Sequence, residues 1–329
     1  MFAEQILSEQ EASNSSRILY LTRTTAFVYQ AIVIVLLSLI ALAVNHFYYQ
    51  YPGNFYTPPD CFLTGSTLSL LYAGFFILQG RDGKITQIVK EVIYFFLVMT
   101  SVCLATTAAQ YTPFPTIDQH ILAFESFLNI DTNALLTWIH AKPLLKTVLD
   151  VVYSSINYQL CYIPLIVILA GRTDLIREYY FLLITTALIG FTFYYFFPTT
   201  APASVINSEY FSEAQRATYL KFFQIHHYIQ PSTMDGGMIA LPSFHVIWAW
   251  LCLYLVREWR VVFLALLPIN VLLIASCVLL GWHYCIDIVG SVVVIVFAHC
   301  LIPPIAILKP IIVIRNKNSC TKNNDIAAV

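Results

Sequence analysis

Long apolar runs, separated by short polar turns, constrain this chain more than any other feature. Eight recur, at roughly 26–47, 61–79, 91–111, 144–170, 179–197, 243–257, 261–280 and 284–307. A helix needs about 20 mostly apolar residues to cross the hydrocarbon core of a bilayer. In lipid, only helices and closed barrels satisfy their own backbone polar groups. Continuous runs without strict alternation predict helices. The expected fold class is therefore all-α, a polytopic membrane helical bundle of about eight transmembrane helices. Composition agrees: of 329 residues, 59% are hydrophobic and 11% charged, against about 25% charged in soluble domains. A net charge of −1 gives no global attraction to nucleic acid, so none is expected as a partner.

The segments between the runs divide the chain. Residues 1–25 read as a polar tail, 26–307 as a transmembrane catalytic domain and 308–329 as a second polar tail. No cleavable signal peptide is expected, because the first 25 residues carry Glu4, Glu9, Glu11, Arg17 and Arg23 before any apolar core. Segment 112–143 is semi-polar and aromatic, and predicts an interfacial or re-entrant helix. Segment 198–242, broken by Pro198, Pro202, Pro231, Gly236 and Gly237, is the longest polar stretch between runs. The eight cysteines sit mostly in apolar runs with no CxxC spacing. They read as packing residues, not as a disulfide or metal framework.

Charge placement predicts orientation. Only Lys142, Lys146, Arg216 and Lys221 fall on one side of an eight-span arrangement; the rest of the 17 lysines and arginines fall on the other. The positive-inside rule then puts both termini in the cytoplasm. Loops 48–60, 112–143, 198–242 and the turn near 281 face the periplasm or an organelle lumen.

Ionisable groups beside membrane spans are costly and call for a functional hypothesis. Three stand out: His245 in Leu241-Pro-Ser-Phe-His245, and His283 with Asp287 in Gly281-Trp-His-Tyr-Cys-Ile-Asp287. Counting spans puts both motifs, and Phe197-Pro198, at the same membrane face. His283 and Asp287, four residues apart on a helix, share one side. The carboxylate is then able to hold one ring nitrogen and raise the basicity of the other. Ser243 is a candidate N-cap after Pro242, and the free N–H groups of that helix start suit an anion.

These motifs resemble the type 2 phosphatidic acid phosphatase superfamily. More closely, they resemble its inositol phosphorylceramide synthase-like branch, with a bulky residue between Ser243 and His245 and a His-Tyr-x-x-Asp ending. Phe197-Pro-Thr-Thr-Ala-Pro202 resembles the proline-rich first motif. The resemblance implies a six-helix lipid-phosphatase-like core over about 91–307. It implies that His283 attacks phosphorus to form a phosphohistidine, that Asp287 orients it, and that His245 serves as acid and then base. Partners would be the bilayer, a phospholipid and a lipid or alcohol acceptor, with no cofactor and no metal.

The chain departs from the phosphatase pattern in its cations. No lysine or arginine lies between Arg177 and Arg216, and Cys277 stands where an arginine is expected. A phosphomonoester carries nearly two charges and a diester one. A site with fewer cations suits a diester, and so transfer of a phospho-head group to an alcohol acceptor. Candidate substrate-binding residues are Pro198, Ser243, Phe244, Tyr284, Arg216, Lys221, Asp150 and Tyr153, with His226 and His227 as further cations. Asp118, Glu125 and Asp131 read as solvated faces. Lipid phosphate phosphatase activity is the first alternative. A proton-coupled transporter or channel, relaying protons through the same histidines and aspartate, is the second, although no pair of broken spans supports it.

Overall fold

The structure, a computed structural model, describes residues 24–302. The two expected tails, save Thr24 and Thr25, and the end of the eighth apolar run lie outside the described residues. Twelve helices are present among the described residues and no strand. The first three are α1 (Thr24–Tyr49), α2 (Cys61–Gln79) and α3 (Lys84–Ala109). Two short ones follow, α4 (Asp118–Phe127) and α5 (Thr132–His140), then α6 (Pro143–Ser154), α7 (Ile156–Leu169) and α8 (Thr173–Phe196). The last four are α9 (Glu213–His226), α10 (Phe244–Leu255), α11 (Arg260–Leu279) and α12 (Cys285–Cys300).

The apolar runs become helices, as expected, but not eight equal spans. Helices α1, α2, α3, α8 and α11 are each long and apolar enough to cross a membrane. The run at 144–170, expected as one span, is two helices, α6 and α7, bent by 43°. Ser154 and Ser155 sit at the break, and their hydroxyls bond back to the Asp150 and Val152 carbonyls. Paired serines that compete for backbone groups are a recurrent cause of such kinks. Helices α10 and α12 have 12 and 16 residues. At about 1.5 Å per residue both fall short of the roughly 30 Å core. Each starts at the end of the bundle where the candidate site lies.

Helix α8 is the centre of the bundle. Every residue from 175 to 187 is buried, because α3, α7, α10 and α12 pack around it. Beyond Arg177 and Glu178, which are ion-paired, the helix is apolar on most sides, as a central position requires. At the other extreme, α2 has no buried residue and packs chiefly along α3.

Segment 112–143 forms α4 and α5. Helix α4 packs on α12 and on the Pro202–Ser204 turn, whereas α5 packs on α6 and α11. In segment 198–242, α9 opens with a reciprocal capping box between Ser212 and Gln215. Gln215 also donates to the Leu280 carbonyl at 2.8 Å, which ties α9 to the α11–α12 turn.

Candidate functional site

The turn between α11 and α12 carries His283. Gly281 in that turn has φ +75°, and a Cβ there would meet Leu136 and Phe211 at 2.9 Å. Glycine is thus needed for both its backbone and its lack of bulk. Past it, the His283 N–H donates to the Cys277 carbonyl at 2.9 Å, which folds the turn back on α11.

The His283 ring is 4% exposed and Asp287 is fully buried. His283 Nδ1 lies 3.0 Å from the Ala240 carbonyl and 3.2 Å from Asp287 Oδ2. Both neighbours are acceptors, so Nδ1 carries the proton and Nε2 holds the lone pair. Asp287 Oδ2 also accepts the Tyr284 N–H at 2.9 Å, whereas Oδ1 has no protein partner.

The start of α10 lies against the same turn. Ser291 on α12 donates to the Ser243 carbonyl at 3.0 Å. The His245 and His283 rings meet edge to face with centroids 5.7 Å apart. On its other side His245 stacks on Tyr153 at 4.3 Å, and Tyr153 stacks on Trp282 at 5.0 Å. Neither ring nitrogen of His245 bonds to a protein group among the described residues. Nor do the first N–H groups of α10, on Phe244, His245 and Val246, find a protein acceptor. The end of a helix dipole and two imidazoles thus face one small region.

The Phe197–Pro202 segment closes the site. Pro198 is buried and its carbonyl accepts the Ile117 N–H at 2.9 Å. The Thr199 hydroxyl accepts the Leu241 N–H at 2.8 Å. The Thr200 N–H and hydroxyl both bond to Asp118, at 2.8 and 3.0 Å.

The other candidate residues are placed unequally. Tyr284 is buried and its hydroxyl lies 3.1 Å from Asp118. Ser243 occupies the N-cap position but makes no capping bond, and its hydroxyl is a buried oxygen without a partner. Phe244 turns into the core, stacking on Phe191 at 5.0 Å beside Gly190. Arg216 is spent on the Ser208 and Phe211 carbonyls. Lys221 is buried, donates to the Gly236 carbonyl at 3.2 Å, and is pushed down to about 8 by that burial. Asp150 pairs with Lys146 at 2.8 Å and stays half exposed. It is not brought to the histidines, although Tyr153 on the same helix is. His226 bonds to the Thr112 and Phe222 carbonyls, and His227 to Phe223.

Two residues read as solvated are buried instead. Asp118 and Glu125 are each 1% exposed. Glu125 Oε1 accepts the Ile286 N–H at 3.1 Å, at the start of α12. Burial pushes Asp118 up to about 6, and raises Glu125 as well. Their spacing held the signal: 118, 121 and 125 share one helical face, and Ile121 is buried with them.

A helical membrane bundle with two imidazoles and a carboxylate gathered together defines a class of integral membrane protein with a cluster of titratable groups at one end. The particular family follows from comparison. The model of the PAP2 superfamily matches residues 119–301, more than half of the chain, and the chain belongs to that superfamily. Membership carries phosphatase or phosphotransferase chemistry on lipid phosphates. Neither a curated protein nor a solved structure matches the chain.

Proposed function

We propose that this protein is a lipid phosphotransferase that moves a phospho-head group from a phospholipid to an alcohol acceptor. Its chemistry runs through a phosphohistidine on His283. The observation that carries the reading is the His283 ring, with Nδ1 held between Ala240 and Asp287 and Nε2 left as the free base. Nε2 attacks phosphorus, the ester bond to the lipid alcohol breaks, and His245 gives that leaving oxygen its proton. His245 then takes the proton of the acceptor hydroxyl, whose oxygen attacks phosphorus as the P–N bond breaks. Asp287 balances the charge that develops on His283. The free N–H groups at the start of α10 receive the phosphoryl oxygens.

Substrate charge favours a diester. No lysine or arginine among the described residues bonds to His245, His283 or Asp287, and two further carboxylates lie close by. The sequence motifs resemble the inositol phosphorylceramide synthase-like branch, which agrees with transfer between lipids. The excess of basic residues at the opposite end supports cytoplasmic termini and a site facing the periplasm or an organelle lumen.

Product analysis by mass spectrometry tests this. Purified protein receives phosphodiester and phosphomonoester lipids with and without an alcohol acceptor lipid, beside a His283→Ala control. A new head-group-bearing lipid that requires both active protein and acceptor is the expected result. Release of inorganic phosphate from monoesters alone would mean a lipid phosphatase.

A further inference from the structure

Helix α4 touches two of the three motifs of the site through carboxylates, and reaches the third only by way of the Thr199–Thr200 segment. Asp118 accepts from Thr200 N, Thr200 Oγ1 and Tyr284 Oη, at 2.8, 3.0 and 3.1 Å. Tyr284 in turn gives its N–H to the same Asp287 oxygen that holds His283. Next to Thr200, Thr199 grips the Leu241 N–H, four residues before His245. About two turns along α4, Glu125 takes the Ile286 N–H at the start of α12. A carboxylate at a helix start also gains from the helix dipole. The Ile117 N–H, just ahead of α4, adds a bond to the Pro198 carbonyl.

We propose that Asp118 and Glu125 are positioning residues: they brace the His283–Asp287 turn against the Thr199–Thr200 segment so that His283 keeps its Nδ1–H tautomer and its Nε2 toward the substrate. The proposal rests on the phosphotransfer reading of the site. A packing role alone does not account for the choice of side chain. Burying a carboxylate is costly unless donors satisfy it, and an apolar residue on this face would hold α4 without that cost.

The brace has a protonation requirement. Both Asp118 oxygens face donors, so the contacts fit the ionised acid. Burial opposes ionisation. The titratable groups around Asp118 are Tyr284 before α12, Asp287 on α12 and Tyr194 on α8. No basic side chain bonds to it among the described residues. Protonation near pH 6 puts a hydrogen where Thr200 or Tyr284 now donates, and the brace loosens.

The test compares Asp118→Ala, Asp118→Asn and Glu125→Gln with wild type in the full chain, purified in detergent. Misplacement of a reacting group by about 1 Å costs about a hundredfold in rate. Asp118→Ala is expected to lower kcat by about that factor with KM little changed. Asp118→Asn, which keeps one acceptor but turns an N–H₂ toward the donors as the protonated acid turns its hydrogen, stays at the reduced low-pH rate and loses the acid limb near pH 6. Ring nitrogen NMR of labelled histidine, assigned with His283→Ala, reads the tautomer without any substrate. Wild type shows His283 as the Nδ1–H form, and Asp118→Ala or Glu125→Gln admits the Nε2–H form. An unchanged tautomer in both variants, or an acid limb that survives Asp118→Asn, overturns the proposal. Absence of turnover in wild type, with the tautomer shift present, would instead count against the phosphotransfer reading.

Discussion

The two ends of the bundle bury charge in opposite ways. At the end away from the site, each buried carboxylate has an arginine. Glu91 bonds to Arg177, both almost fully buried, and Glu178 pairs with Arg257 at 3.0 Å and accepts from Tyr254. At the site end, Asp118, Glu125 and Asp287 are buried with N–H and O–H donors, and among the described residues no basic side chain bonds to Asp118 or Glu125. A paired ion holds helices together and has little left to give a ligand. A carboxylate held only by neutral donors keeps its charge available to orient, to titrate and to respond to a phosphoryl group. The first arrangement suits stability, and the second suits the chemistry proposed for the site.

Substitutions separate the two. The largest expected effect on activity is at the site: His283→Ala lowers transfer by about 10⁴-fold or more, since the proposed nucleophile is gone. Asp287→Asn leaves the shape but favours the wrong tautomer, with a loss on the order of 10³- to 10⁴-fold. Both variants should melt within a few degrees of wild type. At the far end the pattern reverses. Glu91→Gln removes the buried carboxylate that Arg177 bonds to and costs about 3–5 kcal/mol of stability, read as a lower melting temperature in detergent. The protein that remains folded should keep its kcat. A far-end variant that lost kcat without losing stability would break the comparison.

Protonation gives a smaller but sharper contrast. Asp118 sits at about 6 in the folded protein against an ordinary 3.8. Between those values the folded state binds more protons than the unfolded one, so stability rises as pH falls from 7 through 6 toward 4. Activity should fall over the upper part of the same range, because the ionised form is the bracing one. Melting temperatures of wild type and Asp118→Asn across this range check the sign: the difference between them should shrink or invert toward low pH, with Glu125 adding a smaller change of the same direction. A wild type that loses stability relative to Asp118→Asn on acidification would contradict it.

How far the sequence carried this reading depends on the kind of signal. Apolar runs and charge asymmetry made the spans legible, because lipid allows few solutions. The His245, His283 and Asp287 cluster was legible for a related reason: polar groups beside spans are rare, and counting spans put them at one face. The break between α6 and α7 was hidden, since one continuous apolar run has no mark of a bend beyond Ser154-Ser155. Asp118 and Glu125 were hidden because a short helix between spans is expected to be wet on one side. Which side faces water depends on α12 and the Thr199–Thr200 segment, distant in sequence. Arg216 and Lys221 were visible as cations, but what occupies a cation is a tertiary fact.

The smallest expected effect concerns two charged residues that sequence alone made attractive for head-group binding. Asp150 forms an exposed i, i+4 pair with Lys146, and such pairs contribute about 0.3–0.5 kcal/mol. Asp150→Ala should therefore leave melting temperature and KM close to wild type. Arg216 differs, because its guanidinium is bonded to the Ser208 and Phe211 carbonyls and holds the loop before α9. Arg216→Ala should lower stability by about 1 kcal/mol, the usual scale for such bonds, and leave the preference between diester and monoester lipids unchanged. Lys221 is the informative third member: buried, with a single carbonyl partner, it retains donors that a phosphate is able to use. If Lys221→Met raises KM for the donor lipid while Arg216→Ala and Asp150→Ala do not, the site has one cation after all. If all three leave KM unchanged, the site end holds its substrate by N–H groups and imidazoles alone, and the contrast with the arginine-paired end is complete.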